Sequence, residues 1–468
     1  MIGGEFLFTE SGQKWNTIEI TLPERISDGM IEDLDKDGYK DLLLIAGNFI
    51  NIFFYKRSGF PSTPDYRFYY TRLGEYIDVG DVDPSSPGLE LLGLSKDGVK
   101  FIRRNKFGYV DNAEFLISTK IDMPEFHLGP FIADFAFDIN ADGKDEIFLL
   151  RDGKAFFYRS NNSSQWLPLE IENPINFTTV YMGKKSRANS DLVIHPLVES
   201  QSSLLVQDFN GDGLLDFTSI TLRKQKGEFR FQSLDSPLKP KATLNKEKRP
   251  FYLDVDNDGN LDLIFLEVHE IYAENMSPFP IAKFIVHLRK SNEFSLQPNH
   301  VFKTIIVNGQ SPFIDVDGDG DLDFISVWSE ITPGSKENIL QFLLESTLIF
   351  YFRCYLYDQT KGYSIMPDIG IKSKIKLNFS YLSNALPFDI SADVNGDGIK
   401  DLIIFKDSKN ALLYFLDFKA KNKIKSVELI EIPKGFRGYQ FCDLNGNGKK
   451  ELIYIKERSI QILAFTNK

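Results

Sequence analysis

The stretch "DVDGDGDLDF", residues 315–324, sets five aspartates in nine positions and then runs into the apolar "ISVW" of 325–328. Taken alone, such a segment could be a solvated Asp/Gly turn without an ion. The chain repeats it. "DLDKDGYKDLLLI" starts at Asp33, "DINADGKDEIFLL" at Asp138, "DFNGDGLLDFTSI" at Asp208, "DVDNDGNLDLIFL" at Asp254, "DVDGDGDLDFISV" at Asp315 and "DVNGDGIKDLIIF" at Asp393. Two degenerate copies complete the series: "DVDPSSPGLELLGL" at 81–90 and beyond, and "DLNGNGKKELIYI", whose turn spans 443–451. Self-similarity of this kind marks a repeat architecture.

Successive starts lie 46 to 78 residues apart, room for about four short strands. A short apolar segment leads into each turn, as "FYL" does before Asp254, and a β-branched, aromatic run leaves it, as "LLLIAG" and "INIFFYK" do after Asp41. Both read as strands. The expectation is an all-β chain, a single domain over 1–468, folded as an eight-bladed β-propeller of four-stranded antiparallel blades, with seven blades as the alternative. After Glu451 only two strands' worth of chain follow, one strand short of a blade once the lead-in is counted, while "NTIEITL" (16–22) is surplus at the other end. This N-terminal strand is expected to complete the last blade and close the ring.

The shared pattern is D-x-[DN]-x-D-G-x-x-[DE]. It offers side-chain oxygens at positions one, three, five and nine and a backbone carbonyl at position seven. Hard, largely anionic oxygens in a loop turned by glycine suit calcium better than zinc or copper. The predicted ligands at 33–41 are Asp33, Asp35, Asp37, Tyr39 and Asp41; at 138–146 they are Asp138, Asn140, Asp142, Lys144 and Glu146. At 208–216 they are Asp208, Asn210, Asp212, Leu214 and Asp216, and at 254–262 Asp254, Asp256, Asp258, Asn260 and Asp262. At 315–323 they are Asp315, Asp317, Asp319, Asp321 (carbonyl only) and Asp323, and at 393–401 Asp393, Asn395, Asp397, Ile399 and Asp401.

An EF-hand begins the same way but needs a bidentate Glu at position twelve and flanking helices. Here position twelve is Leu44, Leu149, Ser219, Phe265, Ser326 or Ile404, inside strand-like runs. Three or four carboxylates converging in one loop repel one another without a cation, so about six calcium ions are expected, with occupancy of the 443–451 loop left open. Six divalent ions would offset the formal charge of −12, which reads as metal-site charge.

These loops, each opening a strand, resemble the FG-GAP/VCBS repeat family of integrin α-like N-terminal propellers, from about residue 20 to the end. The resemblance implies calcium held by positions one, three, five, seven and nine, on one face, with partners bound elsewhere. The Phe-Gly/Gly-Ala-Pro consensus is poorly kept and eight repeats are countable, so integrin-like ligand recognition is not implied.

The acidic balance argues against nucleic-acid binding, which neutralises phosphates with Lys and Arg. Cys354 and Cys442 are far apart and form no metal or disulfide framework. The apolar segment 339–357 is interrupted by Gln341, Glu345 and Arg353, so buried strands fit it better than a membrane span. "MIGGEFLFTESGQKW" shows no signal-peptide pattern, and an extracytoplasmic setting, with membrane-associated assembly as one form of it, is inferred from calcium availability. No G-x-S-x-G elbow, H-E-x-x-H helix or phosphate loop occurs, and the five histidines (127, 195, 269, 287, 300) make no ligand spacing.

The functional expectation is therefore a non-enzymatic protein- or glycan-interaction module, as in adhesion. The alternative is a carbohydrate-active enzyme, kept by the likeness of "DVDPSSPGLE" to turns of calcium-rich polysaccharide-lyase propellers. Basic insertions at 223–250 and 183–190 are candidate partner loops. Sequons at Asn161, Asn162, Asn176, Asn275 and Asn378 matter only in a eukaryotic secretory pathway.

Overall fold

The computed structural model describes residues 14–83, 85–121, 130–152, 154–160, 165–170, 202–207, 216–221, 231–232, 249–260, 262–269, 281–290, 293–295, 297–305, 312–329, 347–376, 388–419 and 423–466. The basic insertion at 183–190, that at 223–250 apart from 231–232 and 249–250, all five sequons and positions 208–215 of the third loop lie outside them.

Among the described residues the chain is all-β: eight sheets of three to five strands and one short hairpin, Arg289–Lys290 with Glu293–Phe294. The strands within a sheet follow chain order and pair antiparallel, apart from the short Phe131–Ile132, which joins Tyr76–Gly80 in parallel, and the first strand, which joins the sheet of the last. The sheet after the fifth loop shows the plan. Phe313–Ile314 leads in, the acidic turn reverses the chain, and Asp323–Ser329, Thr347–Tyr355 and Ile369–Lys376 follow. The apolar segment expected as strands thus enters the sheet through Thr347–Tyr355; 339–346 lie outside the described residues. No helix of the described residues is long and apolar enough to cross a membrane.

Burial changes across each sheet for a simple reason. Central strands are covered on both faces, so Asp41–Ala46 ("DLLLIA") is buried throughout and needs a continuous apolar run. The last strand of a sheet has one wet face, so Ile369–Lys376 ("IGIKSKIK") alternates buried and exposed residues, with its lysines outward. Charged residues on such an edge also discourage pairing with another chain.

The apolar cores lie between consecutive sheets. Met30, Leu43 and Ile45 of one sheet pack with Ile77, Val79 and Leu91 of the next. Leu348, Phe350 and Phe352 likewise meet Phe388, Leu402 and Ile404. The two ends of the chain share one sheet: Lys14–Thr21 pairs over its whole length with Ser459–Thr466, beside Glu451–Lys456 and Phe436–Cys442. The expected closure by the N-terminal strand is observed. This sheet packs forward on the first repeat through Ile20, Cys442 and Ile453 with Leu42 and Leu44, and backward on the last through Leu452 and Tyr454 with Ile403 and Leu413. Successive sheets joined face to face, with the termini in a common sheet, make the fold propeller-like. Cys354 and Cys442 are buried and form no disulfide.

Candidate metal centres

Each acidic turn is built by its own aspartates before any ion is considered. In the 315–323 loop Asp315 accepts the Gly318 amide at 2.7 Å and the Gly320 amide at 3.3 Å, and Asp319 accepts that of Asp321 at 3.0 Å. Gly318 and Gly320 have φ of +80° and +96°. Only glycine reaches these values freely, and at Gly318 a Cβ would also run into the Gly398 carbonyl of the neighbouring loop. Asp323 closes the loop: one carboxylate oxygen accepts the Val316 amide at 2.8 Å, the other the Tyr357 amide at 2.9 Å from across the sheet.

The same wiring recurs. The position-nine carboxylate takes the position-two amide in Asp41–Leu34, Glu146–Ile139, Asp262–Val255, Asp401–Val394 and Glu451–Leu444, at 2.8 to 3.1 Å. The position-one aspartate takes the glycine amide in Asp33–Gly38, Asp138–Gly143, Asp254–Gly259 and Asp393–Gly398, at 2.8 to 3.0 Å. In the degenerate 443–451 loop Asp443 and Asn447 make the corresponding bonds to Gly448 and Lys449.

Three loops bring carboxylates together closely enough for one ion. One oxygen each of Asp33, Asp35 and Asp37 lies within 4.8 Å of the others, as do those of Asp254, Asp256 and Asp262, and of Asp315, Asp317 and Asp323. Asp41, Asp258 and Asp319 stand outside these trios; each uses a carboxylate oxygen on a backbone amide. Among the described residues no such trio forms in the loops at 138 and 393, where Asn140 and Asn395 occupy position three. Asn140 turns its amide NH2 to Glu146 at 3.0 Å, and Asn445 does the same to Glu451 at 2.9 Å. The Asp321 side chain accepts a bond from Gln359 at 3.3 Å, away from the trio. Of the 208–216 loop only Asp216 is described, as the first residue of strand Asp216–Thr221.

Asp35 and Asp256, at position three, each bury an oxygen that has no donor among the described residues. A buried acceptor left unmet is costly, and a cation satisfies it as a hydrogen bond would. Burial first, then the charge of neighbouring carboxylates, pushes Asp35, Asp254 and Asp256 upward and Asp317 to about 6. At position nine burial raises Asp262 and Asp323 to about 7, Glu146 and Glu451 to about 7, and Asp41 and Asp401 to about 8. A divalent ion reverses that penalty, because it favours the ionised form. The donor set, all oxygen and mostly anionic, fits a hard cation.

Nothing in the pattern announces the links between loops. The amide at position eight donates to the preceding loop: Lys40 to Leu444, Asp145 to Asp81, Leu322 to Val255, Lys400 to Val316 and Lys450 to Asp393, at 2.8 to 3.0 Å. Leu89 donates to Leu34 in the same way at 2.9 Å. The described loops stand side by side, chained by these backbone bonds except on either side of the loop at 208, and the bond from Lys40 to Leu444 carries the chain across the two ends of the protein. Position-four residues that turn left-handed to allow this include Gly318, Gly396 and Gly446, a signal present in "DGDG", "NGDG" and "NGNG".

The 81–90 turn is wired differently. Asp81 is ion-paired with Lys36, and Asp83 with Arg103 at 3.0 Å. Glu90 accepts the amides of Val82 and Asp83, and Arg104 reaches the Pro87 carbonyl at 3.0 Å. Side-chain cations stand here where the loops at 254 and 315 gather carboxylates, and the trio at 33 has both, Arg104 approaching Asp35 at 3.5 Å.

No family model matches the chain, and no curated protein matches it. Among solved structures it is similar to an Agrocybe aegerita lectin described for specific recognition of non-reducing terminal N-acetylglucosamine, at 12% identity and TM-score 0.40, covering 96% of this chain and 99% of that one. A putative 6-phosphogluconolactonase from Bacteroides fragilis matches at 12% identity and TM-score 0.31, over 86% of this chain and 98% of that one. The Tc holotoxin pore of Photorhabdus luminescens matches at 14% identity and TM-score 0.31, over 95% of this chain and 19% of that one. At these scores the fold description rests on this chain's own strand pairing, and the likeness to FG-GAP/VCBS repeats rests on the loops alone.

Proposed function

We propose that the protein is a closed ring of eight blades, loaded with about six calcium ions, that serves in an extracytoplasmic setting as a rigid module binding a protein or glycan partner. The observation that carries the calcium reading is the set of convergent carboxylates, two of them with a buried oxygen that lacks a donor among the described residues. Eight sheets in series and the shared terminal sheet support the blade count. The ions are structural: each would hold a turn that starts a central strand, and the chained loops would hold the sheets in order.

The direct test is native mass spectrometry of the full chain equilibrated with millimolar calcium and then transferred to volatile buffer. Between five and seven bound ions are expected, the 81–90 turn contributing none. Fewer than three would overturn the reading. Surface localisation is checked by protease shaving of intact cells of the source organism, which should remove the protein if it is displayed outside.

A further inference from the structure

Away from the acidic loops the structure contains a groove of about 430 Å³. It lies between the edge strand His300–Ile305 of one sheet and strands Asp323–Ser329 and Thr347–Tyr355 of the next. Its volume is in the range of small-ligand sites. Register explains its lining: Ser326 pairs with Arg353 and Phe324 with Tyr355, so Ser326, Trp328, Arg353 and Tyr355 project from one face. Lys303 completes the cationic side from the opposite strand. On the far side Arg353 pairs with Gly370, which brings no side chain of its own to that position.

Two features set the groove apart. The protein carries a formal charge of −12, yet among the described residues no Asp or Glu lines the groove, and neither Lys303 nor Arg353 has an ion-pair partner there. Trp328, half-buried, has no ring partner among the described residues, whereas the rings beneath it are locked. Phe302 stacks on Phe324 at 4.0 Å, Tyr363 meets Phe302 edge-on at 4.8 Å, and the Tyr363 hydroxyl donates to the Leu322 carbonyl at 2.6 Å. A firm aromatic floor, one available indole and two available cations suit a ligand with a flat apolar face and an anionic substituent.

We propose that this groove binds an acidic sugar unit of a glycan: its carboxylate or sulfate on Arg353 and Lys303, and the C–H face of its ring on Trp328. The proposal rests on the glycan branch of the function given above.

The test is isothermal titration of the calcium-saturated full chain with trigalacturonate, a heparin-derived tetrasaccharide, neutral maltotriose and a glutamate hexapeptide. At least one acidic saccharide should bind, more weakly as salt rises, with maltotriose at least about tenfold weaker. Arg353→Ala, Trp328→Ala and Lys303→Glu should each weaken it by about tenfold or more, while the distant, exposed Lys120→Ala changes it less than about twofold. Melting temperatures close to the parent's show that the variants are folded, and Lys303→Glu, at an exposed edge, keeps the test meaningful if a core variant fails. No binding of either acidic saccharide, equal binding of maltotriose, tighter binding of the peptide, or indifference to all three groove variants overturns the proposal. Calcium content measured on the same samples separates the two readings: a calcium-loaded chain that binds no acidic saccharide sinks the groove alone, whereas a calcium-free chain sinks the metal reading.

Discussion

The turn at 81–90 and the loop at 315–323 occupy equivalent places, each opening the central strand of its sheet, and each buries a position-nine carboxylate that accepts the position-two amide. They differ in what neutralises them. At 81–90, Lys36 comes from the preceding loop and Arg103 from a strand of the turn's own sheet. At 315–323, Asp315, Asp317 and Asp323 face one another, burial raising Asp317 and Asp323. Burial raises Glu90 to about 7 as it does Asp323, so the two turns share their closing carboxylate and differ in whether side-chain cations or further carboxylates surround it.

Removing the ion should have the largest effect. At millimolar calcium and extracellular-type affinities each site adds about 1 kcal/mol by mass action, so six sites rival a domain's net stability. Differential scanning fluorimetry in excess EDTA should show the melting temperature falling by more than about 10 °C. An unchanged melt would remove the distinction between the two turns.

Next in size is Asp323→Ala. It leaves the Val316 and Tyr357 amides without their partner and should cost about 3 kcal/mol in urea unfolding, with one calcium fewer by mass spectrometry. Loss of stability with full calcium content would mean that Asp323 is a staple and not a ligand.

The pH response should sharpen the contrast further. In the calcium-free fold the position-nine carboxylates hold their proton to about 7 or 8, whereas in the unfolded chain they release it at about 4. Their folded pKa is raised, so the stability they contribute is full at low pH and is lost as pH rises through 7 to 8. In EDTA the protein should therefore melt higher at pH 5.5 than at pH 8. In calcium the ionised form is the one bound, so the gain from calcium should grow from pH 5.5 to 8. Parallel pH curves with and without calcium would contradict this.

The smallest effect is expected from Arg103→Ala. Its pair with Asp83 is more than half exposed on the arginine side, so the loss should be under about 1 kcal/mol, with calcium content unchanged. A loss above 2 kcal/mol, or a drop in bound calcium, would show that this turn too depends on an ion.

Much of the molecule was legible in the chain. Central strands announced themselves because burial on both faces demands runs such as "DLLLI", and the lead-in "FYL" before Asp254 is strand Arg249–Leu253. The missing fourth strand of the last sheet could be counted, and it pairs as expected. The trio at 315–323 was legible in part: Asp315, Asp317 and Asp323 converge within 4.8 Å, while Asp319 stands outside the trio with one oxygen on the Asp321 amide. A pattern lists oxygens; how closely they converge is set by the folded loop.

By itself the sequence determined that the protein is a β repeat with calcium-type turns, because those turns are assembled from nine consecutive residues and their chemistry is local. Tertiary structure alone decided which turns carry side-chain cations, how the described loops are chained and where an arginine and an indole line one groove. Lys36 finds Asp81 across 45 positions, and Lys303 and Arg353 share a groove only because two sheets pack. The charge state of a carboxylate and the cover over a side chain depend on neighbours within a few ångströms, whatever their distance along the chain.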